Sequence, residues 1–361
     1  MSRARIRDLG INIGYLPTGP QNAITDVPSV LVGHHTLIYD QPDISRTGVT
    51  VVLPRSDRSR EDHVFAGYYS LNGFGEMTGL LWLEESGLLG SPIGLTNTNQ
   101  VGVVRDALTE YSVIQHSGRG FGLPVVAETW DGWLNHMDAY HLTKEHVFSA
   151  IQNAGSGPVP EGNVGGGTGM ICHDFKGGIG TASRIVETNF GAYTLGVLVQ
   201  SNYGDRRDLR VNGLPVGLEL SPDVVPLPWD TPQSGGSIII IIATDAPLIP
   251  SQCKRLARRA AIGLGRVGGI GNNGSGDIFL AFATGNHIDS EIEIPYQLHM
   301  IPNHLLDPFF EAVIESVEES IINALCAAET MQGYKDHTAY ELPLEDLKKI
   351  LQRYSGCGQN Q

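Results

Sequence analysis

A serine set among glycines is the residue in this sequence whose surroundings best suit covalent chemistry. The segment Gly268–Asp277 reads GGIGNNGSGD and runs straight into the apolar, strand-like stretch Ile278–Ala283. Gly274 carries no Cβ, so the backbone before Ser275 can adopt a strained and exposed geometry. In that geometry Ser275 Oγ can attack the preceding carbonyl, and water can then release the ester. The freed α-amine, with an ordinary pKa of about 7.7–8.0, would be a base attached to the nucleophile itself.

Two better-known glycine motifs do not fit this segment. A phosphate-binding loop is followed by a helix and, in its P-loop form, contains a lysine, whereas this loop has no lysine and precedes a strand. A nucleophile elbow needs glycine two positions before the serine, where Asn273 stands. From the residues alone, a glycine-rich turn that enters a strand is still the simpler interpretation. Ser275 is therefore a candidate nucleophile at this stage.

A second glycine cluster and a strand-end acid are further candidates. Gly162–Met170 reads GNVGGGTGM and also precedes a strand, which fits either a tight turn or a backbone wall that lines a pocket. Glu128 ends the apolar stretch Leu123–Ala127 and is followed by Trp130. A carboxylate beside aromatic rings can bind a substrate ammonium group, but acids at strand ends are commonly solvated. Both functional interpretations stay open on the residues alone.

Composition and charge argue against several classes of function. The formal net charge of −15 disfavours binding to nucleic acid or to an anionic membrane surface. The 12 histidines include no H-E-x-x-H motif, and His136, His141 and His146 are spaced by five, which does not place them on one helical face. The most apolar stretch, Ser237–Ala243, is too short to span a bilayer. We therefore expect a cytoplasmic protein that needs no metal or organic cofactor.

Short β-rich runs and a few amphipathic helices must position these residues, and one domain over nearly the whole chain is the preferred organisation. Runs rich in Val, Ile and Thr, bounded by Gly or Pro, predict strands. These strands are Val30–Thr36, Gly48–Leu53, Ile93–Thr96, Pro124–Glu128, Met170–Phe175, Gly178–Val186, Ala192–Gln200, Ser237–Thr244 and Asp277–Ala283. Apolar residues at three- and four-residue steps predict helices. These helices are Met77–Glu85, Gln252–Leu264, Pro308–Met331 and Leu344–Leu351.

Two stretches predict unusual surroundings. Ile238–Ile242 is apolar at every position, which predicts a strand covered on both faces. Asn202–Gly236 contains five prolines and predicts a long loop or excursion from the core. Loops of that length in compact proteins are usually functional or mobile.

Together, several motifs resemble those of the D-aminopeptidase A and β-peptidyl aminopeptidase family. The similarity spans roughly Leu9 to Met331 with the motifs in the family's order, which is far more specific than any single glycine loop. The longer motifs are NNGSGD (Asn272–Asp277), GNVGGGTGM (Gly162–Met170), VVAETWDG (Val125–Gly132) and GVLVQSN (Gly196–Asn202). The shorter ones are Thr25–Val27, Gly75–Gly79, Thr96–Thr98 and Gly102–Asp106.

This resemblance implies an α/β fold built as a four-layer α-β-β-α sandwich, similar in its layers to the N-terminal nucleophile hydrolases but with its own connectivity. It also implies that the precursor, one domain over residues 1–361, cuts itself between Gly274 and Ser275 into chains 1–274 and 275–361. Members of the family are usually homotetramers. The implied activity is release of N-terminal residues, whether L-, D- or β-amino acids, from short peptides or amino-acid amides.

Family roles carry over to individual residues of the matching motifs. Ser275 matches the nucleophile, and Asn202 matches the donor that polarises the scissile carbonyl, a contact that contributes about 2.7–4 kcal/mol in other hydrolases. Glu128 matches the acid that holds the free amino group of the substrate. Ser316 and Glu318 match a Ser-x-Glu pair that orients or assists the nucleophile.

Three positions depart from the family pattern, and two rival functions stay open. Trp130 stands where some relatives have a tyrosine that donates to the oxyanion, and an indole offers a donor but no hydroxyl. Phe74 and Ser201 also differ from the commonest residues of their motifs. One rival is acyl transfer of the ornithine acetyltransferase type, which uses a threonine nucleophile where this chain has Ser275. The other is a binding protein on the same fold that no longer cleaves.

Overall fold

Two β-sheets and the helices outside them make up the structure, a computed structural model that describes residues 3–115, 122–229 and 236–356. The strands, numbered in chain order, are β1 (Leu31–Tyr39), β2 (Ser45–Asp57), β3 (Asp62–Gly73), β4 (Leu88–Leu89), β5 (Ile93–Asn97), β6 (Val125–Thr129), β7 (Ile171–Cys172), β8 (Phe175–Lys176), β9 (Gly178–Thr188), β10 (Gly191–Tyr203), β11 (Gly236–Thr244), β12 (Ser275–Asp289), β13 (Met331–Gln332) and β14 (Thr338–Ala339). The helices are α1 (Leu80–Ser86), α2 (Val101–Gln115), α3 (Lys144–Gln152), α4 (Val216–Glu219), α5 (Pro250–Val267), α6 (Asp307–Ala327) and α7 (Leu344–Gly356).

The larger sheet has six strands in the order β4-β3-β12-β11-β10-β9. Its central pair, β11 and β12, is parallel, and the remaining neighbours are antiparallel. The smaller sheet has the order β1-β2-β5-β6, with β5 and β6 parallel. Parallel neighbours need a crossover connection, and helix α5 provides it between β11 and β12.

The isoleucine run of β11 shows how the layers stack. Ile239 and Ile241 belong to the apolar cluster between the two sheets, because alternate residues of a strand face opposite sides. Ile238 and Ile240 belong to the cluster between the six-stranded sheet and helices α5 and α6. Helices α2 and α3 cover the other sheet through a third cluster. The order is helix, sheet, sheet, helix, so the predicted four-layer sandwich and the predicted two-sided burial of this strand are both confirmed.

Most predicted strands and helices occur, with ends that differ by a few residues, but several elements were missed and one was predicted wrongly. Strands β3, β4, β13 and β14 and helices α3 and α4 were not predicted. The stretch predicted as one strand, Met170–Phe175, is instead two short strands, β7 and β8. His173 and Asp174 between them have φ values of 49° and 58°, a left-handed turn that an extended strand does not contain.

The proline-rich excursion is packed against the core over the part that the structure describes. Its first residues, through Tyr203, still belong to β10, and α4 lies within it. Leu209, Val211 and Val216 are fully buried in the cluster beneath α5 and α6. Trp229, the last residue before the undescribed part of this excursion, lines the main pocket. Residues 230–235 of this predicted loop lie outside the described residues.

The segment after Gly274 is central to the fold. It supplies β12, which lies between β11 and β3, and α6, whose 21 residues are largely buried against the same sheet. A chain cut before Ser275 would therefore keep its two parts joined by a continuous sheet and a shared core. Among the helices of the described ranges, none combines the length and apolar character that a transmembrane span requires.

Candidate active site

In the six-stranded sheet, paired residues on three adjacent strands place the predicted nucleophile and the predicted carbonyl-polarising donor at the same end of these strands. Asn202 of β10 pairs with Ser237 of β11, and Ser237 pairs with Gly276 of β12. Neighbouring strands lie about 4.8 Å apart, so the backbones of Asn202 and Gly276 are about 10 Å apart. Ser275 is the first residue of β12 and lies directly beside this row.

Ser275 has a hydrogen-bonded and nearly inaccessible hydroxyl. The residue is 3% exposed, and its backbone N–H donates to the carbonyl of Asn272 at 2.9 Å, which closes the turn before the strand. Its Oγ donates to Oδ1 of Asp277 at 2.6 Å. A hydroxyl that already donates to a carboxylate has a proton acceptor within reach, as an activated nucleophile requires.

The partner of this hydroxyl, Asp277, was missed by sequence reasoning. The second oxygen of Asp277 accepts from Nδ2 of Asn72 on β3 at 2.9 Å. Burial raises the pKa of Asp277, while the hydrogen bonds from Ser275 and Asn72 lower it. The signal was present, because residues two apart on a strand face the same side, and an acid stands two positions after the candidate serine.

Asn202 is oriented so that its amide nitrogen is the available group. Its Oδ1 accepts the backbone N–H of Ile171 at 2.8 Å, which leaves Nδ2 as a donor. The residue lines the same pocket as Gly274. In the part of the chain that the structure describes, Nδ2 of Asn202 makes no hydrogen bond, so this donor can meet a carbonyl oxygen in the pocket.

Glu128 lies on the opposite wall, at the end of β6, and is 4% exposed. Its two oxygens accept from the backbone N–H of Glu76, at 3.0 Å, and from the hydroxyl of Thr98. Burial is the largest influence on this carboxyl and raises its pKa. A carboxylate with one donor on each oxygen keeps acceptor capacity for a further cation from the pocket.

Gly75 and Gly276 approach each other closely where Glu128 comes near strand β12. A Cβ on Gly75 would lie 3.0 Å from Cα of Gly276 and 3.2 Å from Oε1 of Glu128. A Cβ on Gly276 would lie 2.7 Å from Cα of Gly75. Larger residues at either position would push the carboxylate and the strand apart. The distance between the acid and the candidate nucleophile is therefore set by backbone-to-backbone contact.

The pocket between these walls has a volume of ≈ 620 Å³ and aromatic sides. Trp130 lines it and is 45% exposed, and Phe74 at its edge is 76% exposed. Trp133 and Trp229 meet edge to face with their ring centroids 5.8 Å apart. A pocket of this size with a few convergent polar groups suits a small organic molecule or a short peptide end.

The second glycine cluster fits both interpretations left open from the sequence, because Gly165–Gly167 form a buried turn and the end of the cluster reaches the pocket wall. Gly169 and the following Ile171 line the pocket. The wall is held from behind by Lys176, whose buried Nζ donates to the carbonyls of Met170 and Gly177 at 2.8 Å each. Burial lowers the pKa of Lys176 to about 7.

Two predicted site residues lie elsewhere. Ser316 is fully buried on α6, and its Oγ has no hydrogen-bond partner among the described residues. Glu318 pairs with Arg266 at 3.3 Å and faces a different cavity, which Tyr15 also lines. No described hydrogen bond joins either residue to Ser275, so the role implied for this pair stays a prediction.

Two further observations complete the site. Ser201, which departs from the family pattern, donates to Sγ of Cys172 at 2.9 Å beneath the sheet and takes no part in the pocket. Within the described residues, no group of three or more His, Cys, Asp or Glu side chains is arranged to hold a metal ion.

Known proteins resemble this chain over nearly all of its length. The beta-peptidyl aminopeptidase BapA of Sphingosinicella microcystinivorans is 48% identical over 97% of this chain and 92% of that protein. A solved Burkholderia sp. beta-aminopeptidase is 48% identical and matches with a TM-score of 0.91 over 97% of this chain and 99% of that one. The L-aminopeptidase D-Ala-esterase/amidase of Ochrobactrum anthropi, described as a prototype of the serine aminopeptidases and a variant of the Ntn hydrolase fold, is 41% identical with a TM-score of 0.90 over 97% and 99%.

The match to a family model gives the same result. Residues 22–339 match the model of peptidase family S58, a range that includes Ser275, Asn202 and Glu128. The sequence resemblance to the D-aminopeptidase A and β-peptidyl aminopeptidase family is thus confirmed at the level of family and fold. On the strength of this match and of relatives that are 48% identical, the chain belongs to peptidase family S58.

Proposed function

We propose that the chain cleaves its own peptide bond between Gly274 and Ser275, and that the mature protein is a serine aminopeptidase working through an acyl-enzyme on Ser275. The observation that carries this proposal is the pocket with Gly274 on one wall and the buried carboxylate of Glu128 on the other. In the intact chain Ser275 lies behind Gly274 and is almost inaccessible. Cleavage would release Gly274 from its neighbour and open the hydroxyl to the pocket.

Each polar group of the pocket then has a task in hydrolysis at a peptide N-terminus. Glu128 binds the substrate ammonium group, which restricts the enzyme to substrates with a free amine near the scissile bond. Ser275 Oγ attacks the carbonyl carbon, while Nδ2 of Asn202 donates to the oxygen on which negative charge develops. The free α-amine of Ser275 takes the hydroxyl proton and returns it to the leaving amine. Water then hydrolyses the ester.

Short peptides and amino-acid amides are the substrates that fit this arrangement. The close approach of Gly75 and Gly276 leaves Glu128 near the nucleophile strand, so the amine must lie within a residue of the bond that is cut. The named relatives cleave β-peptides or act as an L-aminopeptidase and a D-Ala-esterase/amidase, so we propose substrates among L-, D- and β-amino acids. Transfer to another amine, as in ornithine acetyltransferases, is disfavoured because the nucleophile is a serine.

We also propose that the protein assembles as a homotetramer. Five large apolar side chains are exposed on the segment between β12 and α6, where a surface of this kind is typical of a contact between proteins. They are Ile292, Ile294, Tyr296, Leu298 and Met300.

The mass of the purified protein under denaturing conditions tests self-cleavage. We expect two fragments from the wild type, the smaller beginning at Ser275, and one intact chain from Ser275→Ala. Ser290→Ala is a matched control, since Ser290 is an exposed serine just past the other end of β12, and it should cleave like the wild type. A wild type that stays intact on long incubation would contradict the mechanism and favour a binding protein.

The mass of the purified protein under native conditions tests the proposed tetramer. A monomer would contradict it.

A further inference from the structure

The proposed self-cleavage needs a proton acceptor that the mature mechanism does not supply. In the mature enzyme the base is the free α-amine of Ser275, but in the precursor that nitrogen is part of the peptide bond to Gly274. An amide nitrogen has no basic lone pair to accept the hydroxyl proton. A different group must therefore take the proton of Ser275 Oγ in the first cleavage.

Asp277 is the group in contact with that proton. Its Oδ1 accepts from Ser275 Oγ at 2.6 Å in the intact chain, a short distance typical of a hydroxyl donating to a carboxylate. Its Oδ2 is held by the amide of Asn72, which also donates to the carbonyl of Asn272 at 3.3 Å. The Asn72 side chain thus holds both the Asp277 carboxylate and the turn that precedes the scissile bond.

A second observation concerns a small cavity beside the same two residues. Ser275 and Asp277 line a cavity of ≈ 10 Å³, about the smallest room that holds one water molecule. Tyr203 lines it as well, and its buried hydroxyl has no hydrogen-bond partner in the described part of the chain. A water molecule there can bond to the Tyr203 hydroxyl and to the carboxylate, which gives it the two or more polar partners that buried water needs.

We propose that Asp277 is the catalytic base of self-cleavage, taking the proton of Ser275 Oγ and later that of a water molecule in this cavity. The inference rests on the proposed cleavage between Gly274 and Ser275. It assigns a role to a residue that the mature mechanism leaves unused.

The first step conserves atoms and charge. The Asp277 carboxylate accepts the Oγ proton as Oγ bonds to the carbonyl carbon of Gly274. The C–N bond then breaks, and the proton passes from the Asp277 carboxyl to the leaving nitrogen. The products are an ester between Gly274 and Ser275 Oγ, a free α-amine and the restored carboxylate.

The second step hydrolyses that ester. Water adds its oxygen to the carbonyl carbon of Gly274 and gives one proton to the Asp277 carboxylate. The C–Oγ bond breaks, and Ser275 Oγ takes that proton back. Gly274 is left as a C-terminal carboxyl group, and no oxidant, metal or further reactant is consumed.

The surroundings of Asp277 determine how cleavage depends on pH. Strand β3 contributes the amide of Asn72, β11 contributes the backbone N–H of Ile238, and β10 contributes Tyr203. The acidic side chains across the small cavity are those of Asp205 and Asp208. Burial raises the pKa of Asp277, and the hydrogen bonds from Ser275 and Asn72 lower it. Because the base acts only when ionised, the cleavage rate should rise with pH through this pKa and then level off.

The test follows precursor made by cell-free synthesis over time, at a series of pH values, by denaturing mass spectrometry. We expect Asp277→Asn to slow cleavage about 100- to 10,000-fold, the usual contribution of a general base, and Asp277→Glu to recover part of the rate. Asn72→Ala removes a donor that lowers the pKa of Asp277, so it should move the rise in rate to higher pH. Asp245→Asn, a half-buried acid just past the opposite end of β11, should cleave at the wild-type rate.

Each outcome decides between the two proposals. A wild type that cleaves while Asp277→Asn cleaves equally fast, with the same pH profile, would overturn this inference and leave self-cleavage standing. A wild type that never cleaves would overturn both. Thermal unfolding of Asp277→Asn is compared with that of Ser275→Ala to show that it folds. If Asp277→Asn does not fold, the pH profile of Asn72→Ala decides. A rise in cleavage rate with the same midpoint pH as in the wild type would count against Asp277 as the base.

Discussion

The two walls of the pocket are built in different ways. On the reaction wall, Asn202 lines the pocket, and Ser275 and Asp277 lie behind the lining residue Gly274. These three residues are 6%, 3% and 2% exposed and have hydrogen bonds to named partners. On the recognition wall, Trp130 and Phe74 are 45% and 76% exposed. Glu128 is the exception, since it lies on the recognition wall but is as buried as the reacting groups.

This difference shows where the fold has freedom to vary. Moving a reacting group means changing the register of strands whose alternate side chains fill two apolar clusters, and a shift by one residue would turn every side chain to the other face. Changing a half-exposed tryptophan alters little except the pocket. The reaction should therefore be fixed by the strands, whereas the choice of substrate should depend on loops and exposed rings.

The largest effect within this comparison is expected at Asn202. Replacing it with Ala removes the donor to the developing oxyanion and should lower kcat of the mature enzyme about 100- to 1,000-fold, with little change in KM. Steady-state kinetics on an amino-acid amide measure both constants. Asn202→Asp is the matched variant, since it keeps an acceptor for the N–H of Ile171 but has no donor.

The two Asn202 variants separate catalysis from stability. Both should be slow, but only Asn202→Ala leaves the N–H of Ile171 without its acceptor, at a cost of about 1–3 kcal/mol and a lower Tm. A rise in KM with unchanged kcat, or normal activity in Asn202→Asp, would mean that Asn202 supports the pocket wall and donates no hydrogen bond to the reacting oxygen.

A smaller effect, in a different constant, is expected at Glu128. Glu128→Gln removes the charge that attracts the substrate ammonium, a contact made before and during the reaction alike, so KM should rise with kcat nearly unchanged. Hydrogen bonds to charged groups contribute about 1.5–3 kcal/mol, which corresponds to a fall of about 10- to 150-fold in kcat/KM.

The pH dependence of kcat/KM sharpens this prediction. Burial raises the pKa of Glu128, so kcat/KM of the wild type should fall as the pH drops through that pKa and the carboxylate is protonated. Glu128→Gln should lose this acid limb. Glu76→Gln removes a neighbouring negative charge that raises the pKa of Glu128, and should move the limb to lower pH. An acid limb that survives in Glu128→Gln would assign it to another group.

How much the sequence could reveal also differs between features of the molecule. The buried isoleucine strand was predicted correctly, because five adjacent apolar β-branched residues have few alternatives. Strand β3 was missed because Gly67 interrupts it, and glycine weakens a strand signal. The reason for that glycine is tertiary: a Cβ there would lie 2.5 Å from the backbone nitrogen of Lys254 on α5.

The site divides in the same manner. Ser275, Asn202 and Glu128 were predicted through motifs; Asn202 and Glu128 line one pocket, and Ser275 lies behind Gly274, which lines it too. The role of Asp277 was not predicted although it lies in the same motif, because the glycines of the motif indicate a loop, whereas the alternation that places Asp277 beside Ser275 belongs to a strand. The position of Trp229 in the pocket could not have been predicted, because its contact with Trp133, which is distant in sequence, forms only when the excursion folds against the core.

The smallest effect is expected at Trp229, and it concerns the choice of substrate. Edge-to-face aromatic contacts contribute about 0.5–1.5 kcal/mol beyond buried area, so Trp229→Ala should lower kcat/KM about 2- to 10-fold for an amide with an aromatic side chain. The alanine amide, which has no ring to pack against Trp229, should be hydrolysed as before, and self-cleavage should be unaffected. Trp82→Ala, which removes a half-exposed ring on α1, is the control and should leave the ratio of the two substrates unchanged. Equal losses for both amides would mean that Trp229 holds the excursion in place, and slower self-cleavage would mean that the two walls are coupled after all.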